Sequence, residues 1–228
     1  MMIKNLIGLM SGTSLDGLDI VLVKFEENEA EVDYTIICSS TVSYPSDLEQ
    51  TIKKAHELKI GEAQILDKAI GLFFAEQINS FIEQNKLDQN NIDAIASHGQ
   101  TILHQPENGF TLQLGCGSTI AYHTGIPVIN DFRTLDVVAG GQGAPLVPIG
   151  DFQLFKEKAE AFINLGGFCN ISFKVKNEIQ AFDICPSNLP LNKYAGLLNE
   201  AYDKNGDFAR SGIENEALFC CVDTKYVF

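Results

Sequence analysis

Hydrophobic and polar positions are arranged along the first part of the chain as strands separated by a polar turn. Leu6, Ile7 and Leu9 open an apolar run, the stretch that follows is rich in Ser, Gly, Thr and Asp, and Ile20 to Val23 is a second β-branched run. Strand, turn and strand from Ile7 to Phe25 read as a hairpin. Glu26 to Glu31 is an acidic turn, and Val32 to Val42 alternates enough to be another strand. Ser46 stands three residues before Glu49, the spacing of a capping box, so a helix is expected to begin there. From Glu62 to Lys86, Leu66, Ile70, Phe73, Ile78, Phe81 and Ile82 recur at helical spacing and predict a long helix whose apolar face covers a sheet.

Further along, Ile92 to Ala96 is a short apolar strand that runs into Ser97-His98-Gly99-Gln100-Thr101. Polar residues just past the carboxyl end of a buried strand are where open α/β sheets bind ligands. Thr111 to Leu114 reads as a strand, Ser118 to His123 as a short helix, and Ile126 to Ile129 as a strand leading into Asp131-Phe132-Arg133. Val138 to Pro148 is a loop with three glycines around Gln142, which lets the backbone approach a ligand or swing as a hinge. From Ala161 to Val175 the order strand, glycine turn, strand returns and can be laid beside Ile7 to Phe25. A repeat at an interval of roughly 155 residues suggests two related halves facing each other across a cleft. Glu178 to Asp183 is a third strand of the second unit, Leu191 to Tyr202 a helix, and a partial helix starts at Glu214, so the second half is much shorter than the first.

Composition narrows the classes of partner. A chain of 228 residues with 45% apolar and 20% charged residues is ordinary for a soluble globular protein. Its net charge of −14 argues against nucleic acid or an anionic membrane as partner, since both would be repelled. No apolar run approaches the ~20 residues that span a bilayer, and the apolar N-terminus turns polar too soon for a signal peptide, so a cytoplasmic protein is expected. The six cysteines, Cys38, Cys116, Cys169, Cys185, Cys220 and Cys221, show no CxxC pair and read as reduced thiols. Cys220 and Cys221 would point to opposite faces of a strand.

The turn of the first hairpin holds two glycines (Gly12, Gly17), two hydroxyls (Thr13, Ser14) and two carboxylates (Asp16, Asp19). These residue types let backbone N–H groups approach a phosphate and place a metal-bound water beside it; a solvated polar β-turn is the competing reading.

Six motifs in order carry a family resemblance: MSGTSLDGLD at 10–19, SHGQT at 97–101, NDFRTLDVVAGGQGAPLVP at 130–148, INLGG with Asn170 and Ile171 at 163–171, FD-x-x-P-x-N at 182–188, and ARSG at 209–212. With them the chain resembles the anhydro-N-acetylmuramic acid kinase family, a branch of the hexokinase/actin-like superfamily. The resemblance implies an α/β protein of the duplicated actin-like, ribonuclease H-like fold, with an N-terminal domain at 1–145 and a partial second domain at 146–228. It implies ATP and Mg²⁺ as cofactors. The implied reaction opens the 1,6-anhydro ring of a cell-wall recycling sugar and phosphorylates O6, giving N-acetylmuramic acid 6-phosphate, and a homodimer is possible. A carboxylate must then activate water, while backbone N–H groups, hydroxyls and a metal stabilise the transferred phosphoryl group.

By position, the resemblance implies that Asp183 is the catalytic base; an Asp capping the following helix is the alternative. Gly12, Thr13, Ser14, Asp16 and Gly17 match the first phosphate loop, with Asp16 or Asp19 orienting metal-bound water, and Gly166, Gly167 and Asn170 match the second glycine turn. His98, Gly99, Gln100 and Thr101, with Asp131, Arg133, Gln142 and Gly143, match sugar-facing segments. Arg133 suits the lactyl carboxylate bidentately or forms an ion pair with Asp131 or Asp136. His98 is either a structural hydrogen-bonded histidine or an acid–base group.

Two departures from the family pattern stand out. The family's common Thr-Gly-Pro-Gly-Asn after the catalytic Asp is Ile184-Cys185-Pro186-Ser187-Asn188 here, and a further acidic position is Asn192. Family members also continue well beyond this length into a glycine-rich segment against adenosine, which implies a truncated second half. A catalytically inactive homologue that binds sugar or a partner is therefore the alternative to an active kinase, and a related anhydrosugar is an alternative acceptor.

Overall fold

The N-terminal hairpin forms as expected. β1 (Met2–Ser11) pairs antiparallel with β2 (Leu18–Glu27), with Leu9 opposite Ile20 and Ser11 opposite Leu18. β3 (Val32–Val42) continues the antiparallel meander along β2. In this computed structural model the described residues are 2–12, 15, 17–28, 32–144, 146–155, 157–176 and 178–217.

On the other edge of β1 lies β4 (Ala94–Gln105), parallel to it, and β4 pairs with both β5 (Phe110–Leu114, antiparallel) and β6 (Val128–Asn130, parallel). The sheet order is β3-β2-β1-β4-β5, with β6 also on β4. The apolar residues of alternate positions, Ile7, Leu9, Ile20, Leu22 and Ile95, all fall on one face and are buried. The long helix α2 (Ile60–Gln84) covers that face, and each of its six expected contact residues is buried, together with Phe74. Removing each such large side chain from water contributes about 1.5–3 kcal/mol, which makes this layer the main source of stability.

Three expectations are corrected. The strand predicted at Ile92 to Ala96 does not stop before the SHGQT stretch but runs on to Gln105, because Ser97, His98 and Gln100 are buried, Ser97 pairs with β1 and β6, and β5 takes up the ladder from Gln100. Gly99 bends it, with φ of +74 and room for no Cβ beside the Leu114 carbonyl 2.9 Å away. Helix α1 (Ser46–Lys53) does begin at Ser46, yet Pro45 occupies the cap and Ser46 makes no capping bond; Glu49 instead pairs with Lys53. Within the glycine-rich stretch, α4 (Thr134–Val138) precedes the loop and α5 (Leu146–Leu154) takes up its end. The capping interaction at α2 is one-sided: the Glu62 carboxylate accepts from Lys59 N at 2.9 Å.

α3 (Gly117–Thr124) packs on α2. Beyond α5, β7 (Ala161–Leu165), β8 (Phe168–Val175) and β9 (Glu178–Pro186) form a three-stranded sheet in that order. α6 (Asn188–Gly196) starts before the expected Leu191, and α7 (Asp207–Ser211) falls in the ARSG motif. The chain divides into two compact units, Met1–Phe162 with Ser172–Ala181, and Ile163–Ile171 with Phe182–Phe228. No helix among the described residues is long and apolar enough to cross a membrane. The partial helix expected from Glu214 and the Cys220-Cys221 pair lie largely or wholly outside the described residues.

Candidate functional site

In the first unit, the sheet face opposite α2 carries a groove lined by Gly8, Met10, Asp19, Ala96, His98 and Phe132. The strand pleat puts Gly8, Met10, Asp19, Ala96 and His98 on that face, since they alternate with the buried core positions of β1, β2 and β4, and Phe132 joins them from the turn after β6. His98 is the most enclosed of them, 9% exposed. Its Nδ1 lies 2.8 Å from the Gly99 carbonyl, and Arg133 Nε lies 2.9 Å from its Nε2. A carbonyl can only accept and a guanidinium N–H can only donate, so the ring is neutral with its proton on Nδ1. Burial and then the nearby Arg133 charge hold the His98 pKa below the usual value of 6.5. His98 is thereby a fixed acceptor for Arg133.

The Arg133 guanidinium is held a second time by Nη1 donating to the Gly143 carbonyl. Gly143 in turn donates its N–H to Asp136 Oδ2 at 2.6 Å, and Gly141 N donates to the Asp136 carbonyl at 2.8 Å. The glycine loop is thus wrapped around Asp136. Gly143 is buried with φ of +67, and a Cβ there would sit 2.7 Å from Val137 Cγ2, so only glycine fits. Neither Asp131 nor Asp136 forms an ion pair with Arg133 among the described residues. Asp131, itself at φ +59, accepts weakly from Thr134 N at 3.4 Å and sits at the entry to α4. Two of the five guanidinium N–H groups are used by His98 and Gly143, and Arg133 is half-buried.

The other SHGQT residues divide. Gln100 is 2% exposed, its Oε1 accepts from Ser11 Oγ, and its Nε2 donates to the Thr101 carbonyl at 3.3 Å. Since the one Ser11 proton goes to Gln100, the Tyr44 hydroxyl donates to Ser11 Oγ across 2.6 Å. This buried chain, Tyr44 to Ser11 to Gln100, fixes the residue at which β1 passes into the glycine turn. Thr101 is half-buried and Gln142 exposed. The sequence assigns no role to Ser11 or Tyr44, and gives Asp136 only as an ion-pair partner of Arg133. Ser11 and Asp136 at least lie inside the quoted motifs, whereas nothing local marks Tyr44, whose partner is distant in the chain.

Thr13, Ser14 and Asp16 of the first turn lie outside the described residues. Of its other members, the Gly12 carbonyl accepts from Leu15 N at 3.2 Å, and Gly17 lies against Thr41 and Val42. Asp19 is exposed on β2 and accepts from Thr41 Oγ1 at 2.5 Å. Among the described residues no group of three or more His, Cys, Asp or Glu side chains could hold a metal. A Mg²⁺ ion that keeps most of its waters and leans on phosphate oxygens needs only one or two carboxylates, and Asp19 fits that modest demand.

In the second unit, the Gly166 and Gly167 carbonyls accept from the N–H groups of Asn188, Ser187 and Leu189 at 2.9–3.3 Å, so the glycine turn is tied to the start of α6. Asn188 Nδ2 adds a bond to the Leu165 carbonyl at 3.1 Å. Asp183 is exposed on β9, upstream of this junction, and Asn170 is half-buried on β8. The cap of α6 is Ser187, with no side-chain capping bond, so Asp183 does not cap that helix.

Residues 4–227 match the family model described as anhydro-N-acetylmuramic acid kinase. The chain is 41% identical over 225 residues to the anhydro-N-acetylmuramic acid kinase of Francisella tularensis subsp. novicida, covering 92% of this chain and 59% of that protein. It is 41% identical over 216 residues to the protein of the same name from Shewanella oneidensis, covering 90% and 58%. The chain therefore spans a little under three-fifths of the length of these relatives. Among solved structures it is similar to YeaZ from Pseudomonas aeruginosa, at 11% identity and a TM-score of 0.26 over 81% of this chain and 68% of that one. So low a TM-score carries no argument.

Proposed function

Since the chain belongs to the anhydro-N-acetylmuramic acid kinase family, we propose that it serves as an ATP-dependent sugar kinase that opens 1,6-anhydro-N-acetylmuramic acid and delivers N-acetylmuramic acid 6-phosphate. The single observation that best supports this acceptor is the Arg133 guanidinium, fixed by the Gly143 carbonyl and by His98, itself a lining residue of the groove on the sheet. A planar donor fork held beside a largely apolar groove suits a sugar that carries a carboxylate on an apolar lactyl arm.

In this reading Asp183 takes a proton from the water that attacks the anomeric carbon. The bond from that carbon to O6 breaks, and the freed O6 accepts the γ-phosphoryl group of ATP. Gly12, Thr13, Ser14, Asp16 and Gly17 bring backbone N–H groups and hydroxyls to the phosphates, Gly166, Gly167 and Asn170 form a second phosphate-facing turn, and the Tyr44–Ser11–Gln100 chain steadies the first turn at its root. Mg²⁺ would neutralise phosphate charge, with Asp16 and Asp19 holding its waters. His98 acts by orienting Arg133, because its neutral ring has both nitrogens engaged. Gly99, Thr101, Asp131 and Gln142 shape the rim on the sugar side. The net charge of −14 fits small-molecule partners; a cytoplasmic homodimer and the two-domain actin-like plan, 1–145 and 146–228, are part of the same proposal.

A second reading is a chain that binds sugar without transferring phosphate. It is favoured by the exposure of Leu191, Tyr194, Leu197, Leu198 and Tyr202 in and beyond α6, a larger apolar surface than a finished domain normally leaves in water. Mass spectrometry of the product separates the two: the kinase reading requires substrate plus one water and one phosphoryl group, formed only when ATP and Mg²⁺ are both present.

A further inference from the structure

Cys169 lies in β8 and is 8% exposed, while Cys185 lies in the adjacent strand β9 and is exposed. Both belong to the same compact unit, and both thiols are free. β8 and β9 are joined by only two residues, and the Ser187 N–H donates to the Gly167 carbonyl at 2.9 Å, a register that sets position 169 opposite position 185. Cys185 also reinforces the rise in Cys169 pKa that burial begins. We propose that Cys169 and Cys185 are a thiol modification site, closed to a cross-strand disulfide by a small disulfide oxidant.

The two thiols have unequal roles. Cys185 is accessible and is attacked first: its thiolate sulfur bonds to one sulfur of the oxidant RSSR, the S–S bond breaks, and the leaving thiolate takes up a proton as RSH. Cys169, held in place by the strand pair, then attacks the Cys185 sulfur and expels the second RSH. Two protein thiols are thereby oxidised to one disulfide, and two electrons and two protons pass to the oxidant. A buried thiol with a raised pKa is a poor first nucleophile but a competent resolving group once its cross-strand partner is activated.

The site has a place in the mechanism. Cys185 is two residues from Asp183 and shares its face of β9, and Cys169 follows the glycine turn whose carbonyls hold the start of α6. A disulfide would clamp the strand that carries the proposed base to the strand that leaves the proposed phosphate turn. This functional consequence rests on the kinase reading, whereas the modification itself does not.

The test is oxidation of the whole chain with glutathione disulfide, followed by non-reducing tryptic mapping. Cleavage at Lys158, Lys174, Lys176 and Lys193 places the two cysteines on separate peptides, residues 159–174 and 177–193. The expected result is a linked pair of these peptides without retained glutathione, released by dithiothreitol. Cys169→Ser should accumulate glutathione on Cys185, and Cys185→Ser should leave Cys169 as the unmodified thiol. A glutathione adduct that persists on wild-type Cys185, or a link from Cys185 to the peptide carrying Cys220 and Cys221, overturns the proposal. Sugar-dependent ADP release, compared before and after oxidation, reads the consequence: a chain inactive in both states refutes the kinase reading and leaves the disulfide result standing.

Discussion

Arg133 Nε donates to His98 Nε2 across 2.9 Å, while the His98 ring gives its own proton to the Gly99 carbonyl 2.8 Å away. Protonating Nε2 would set two donors against each other, and the pKa of His98 is already depressed by burial and by the Arg133 charge. The folded ring therefore stays neutral as pH falls through 6.5, where an unfolded histidine takes up a proton. The stability associated with His98 is complete above 6.5 and is lost as the pH drops through the lower folded value. Nitrogen-15 NMR should show the Nδ1–H tautomer and a titration midpoint below 6.5; a midpoint at or above 6.5 would contradict the geometry.

Arg133→Lys keeps the charge but loses the Nε–H that His98 accepts and the planar fork that suits a carboxylate. The affinity for anhydro-N-acetylmuramic acid should fall by about tenfold or more, roughly 1.4 kcal/mol, as read by calorimetry. Urea unfolding should change far less. Equal losses of affinity for sugars with and without the lactyl carboxylate would show that Arg133 meets some other group.

Tyr44 reports on the buried chain at the root of the first turn. Its phenol is pushed up to about 12 from 10.0, chiefly by burial, with the Ser11 bond acting in the opposite direction. A raised folded value means that the stability is fully present below pH 10 and lost as pH rises toward 12. Phenolate absorbance should therefore show one tyrosine ionising together with unfolding. Tyr44→Phe should cost about 0.5–1.5 kcal/mol in urea unfolding, the net worth of one such hydrogen bond, and should flatten that alkaline transition.

Gly143→Ala places a methyl group 2.7 Å from Val137 Cγ2 at φ of +67, whereas Gly140, at φ +90, faces open space. Backbone strain alone costs about 1 kcal/mol at each position, and the clash adds to it at Gly143, for about 1–3 kcal/mol in total. Thermal unfolding of the two variants should rank Gly143→Ala as the more damaging.

How much of this was legible in the sequence follows from the range of each interaction. α2 was legible because its six contact residues repeat along a single helix, and the first hairpin because its apolar runs flank a polar turn. The continuation of β4 was not, since His98 and Gln100 look like a loop until Arg133 and Ser11, far away in sequence, supply partners. The Ser46 capping box failed for a local reason: Pro45 takes the cap position and Lys53 engages Glu49. Motif order pointed to His98, Arg133 and Gly143 as one neighbourhood, but it could not say that the histidine serves the arginine. Tyr44 carried no local signal at all.

The most direct test of the central claim measures ADP release by the purified chain with Mg²⁺, ATP and 1,6-anhydro-N-acetylmuramic acid, beside Asp183→Asn. The expected result is sugar-dependent ADP formation by the wild-type chain and a loss of at least about a hundredfold in the variant, the scale of a removed general base, with sugar affinity unchanged by calorimetry. Sugar binding without sugar-dependent ADP in the wild-type chain, or an Asp183→Asn variant as fast as the wild type, would contradict it.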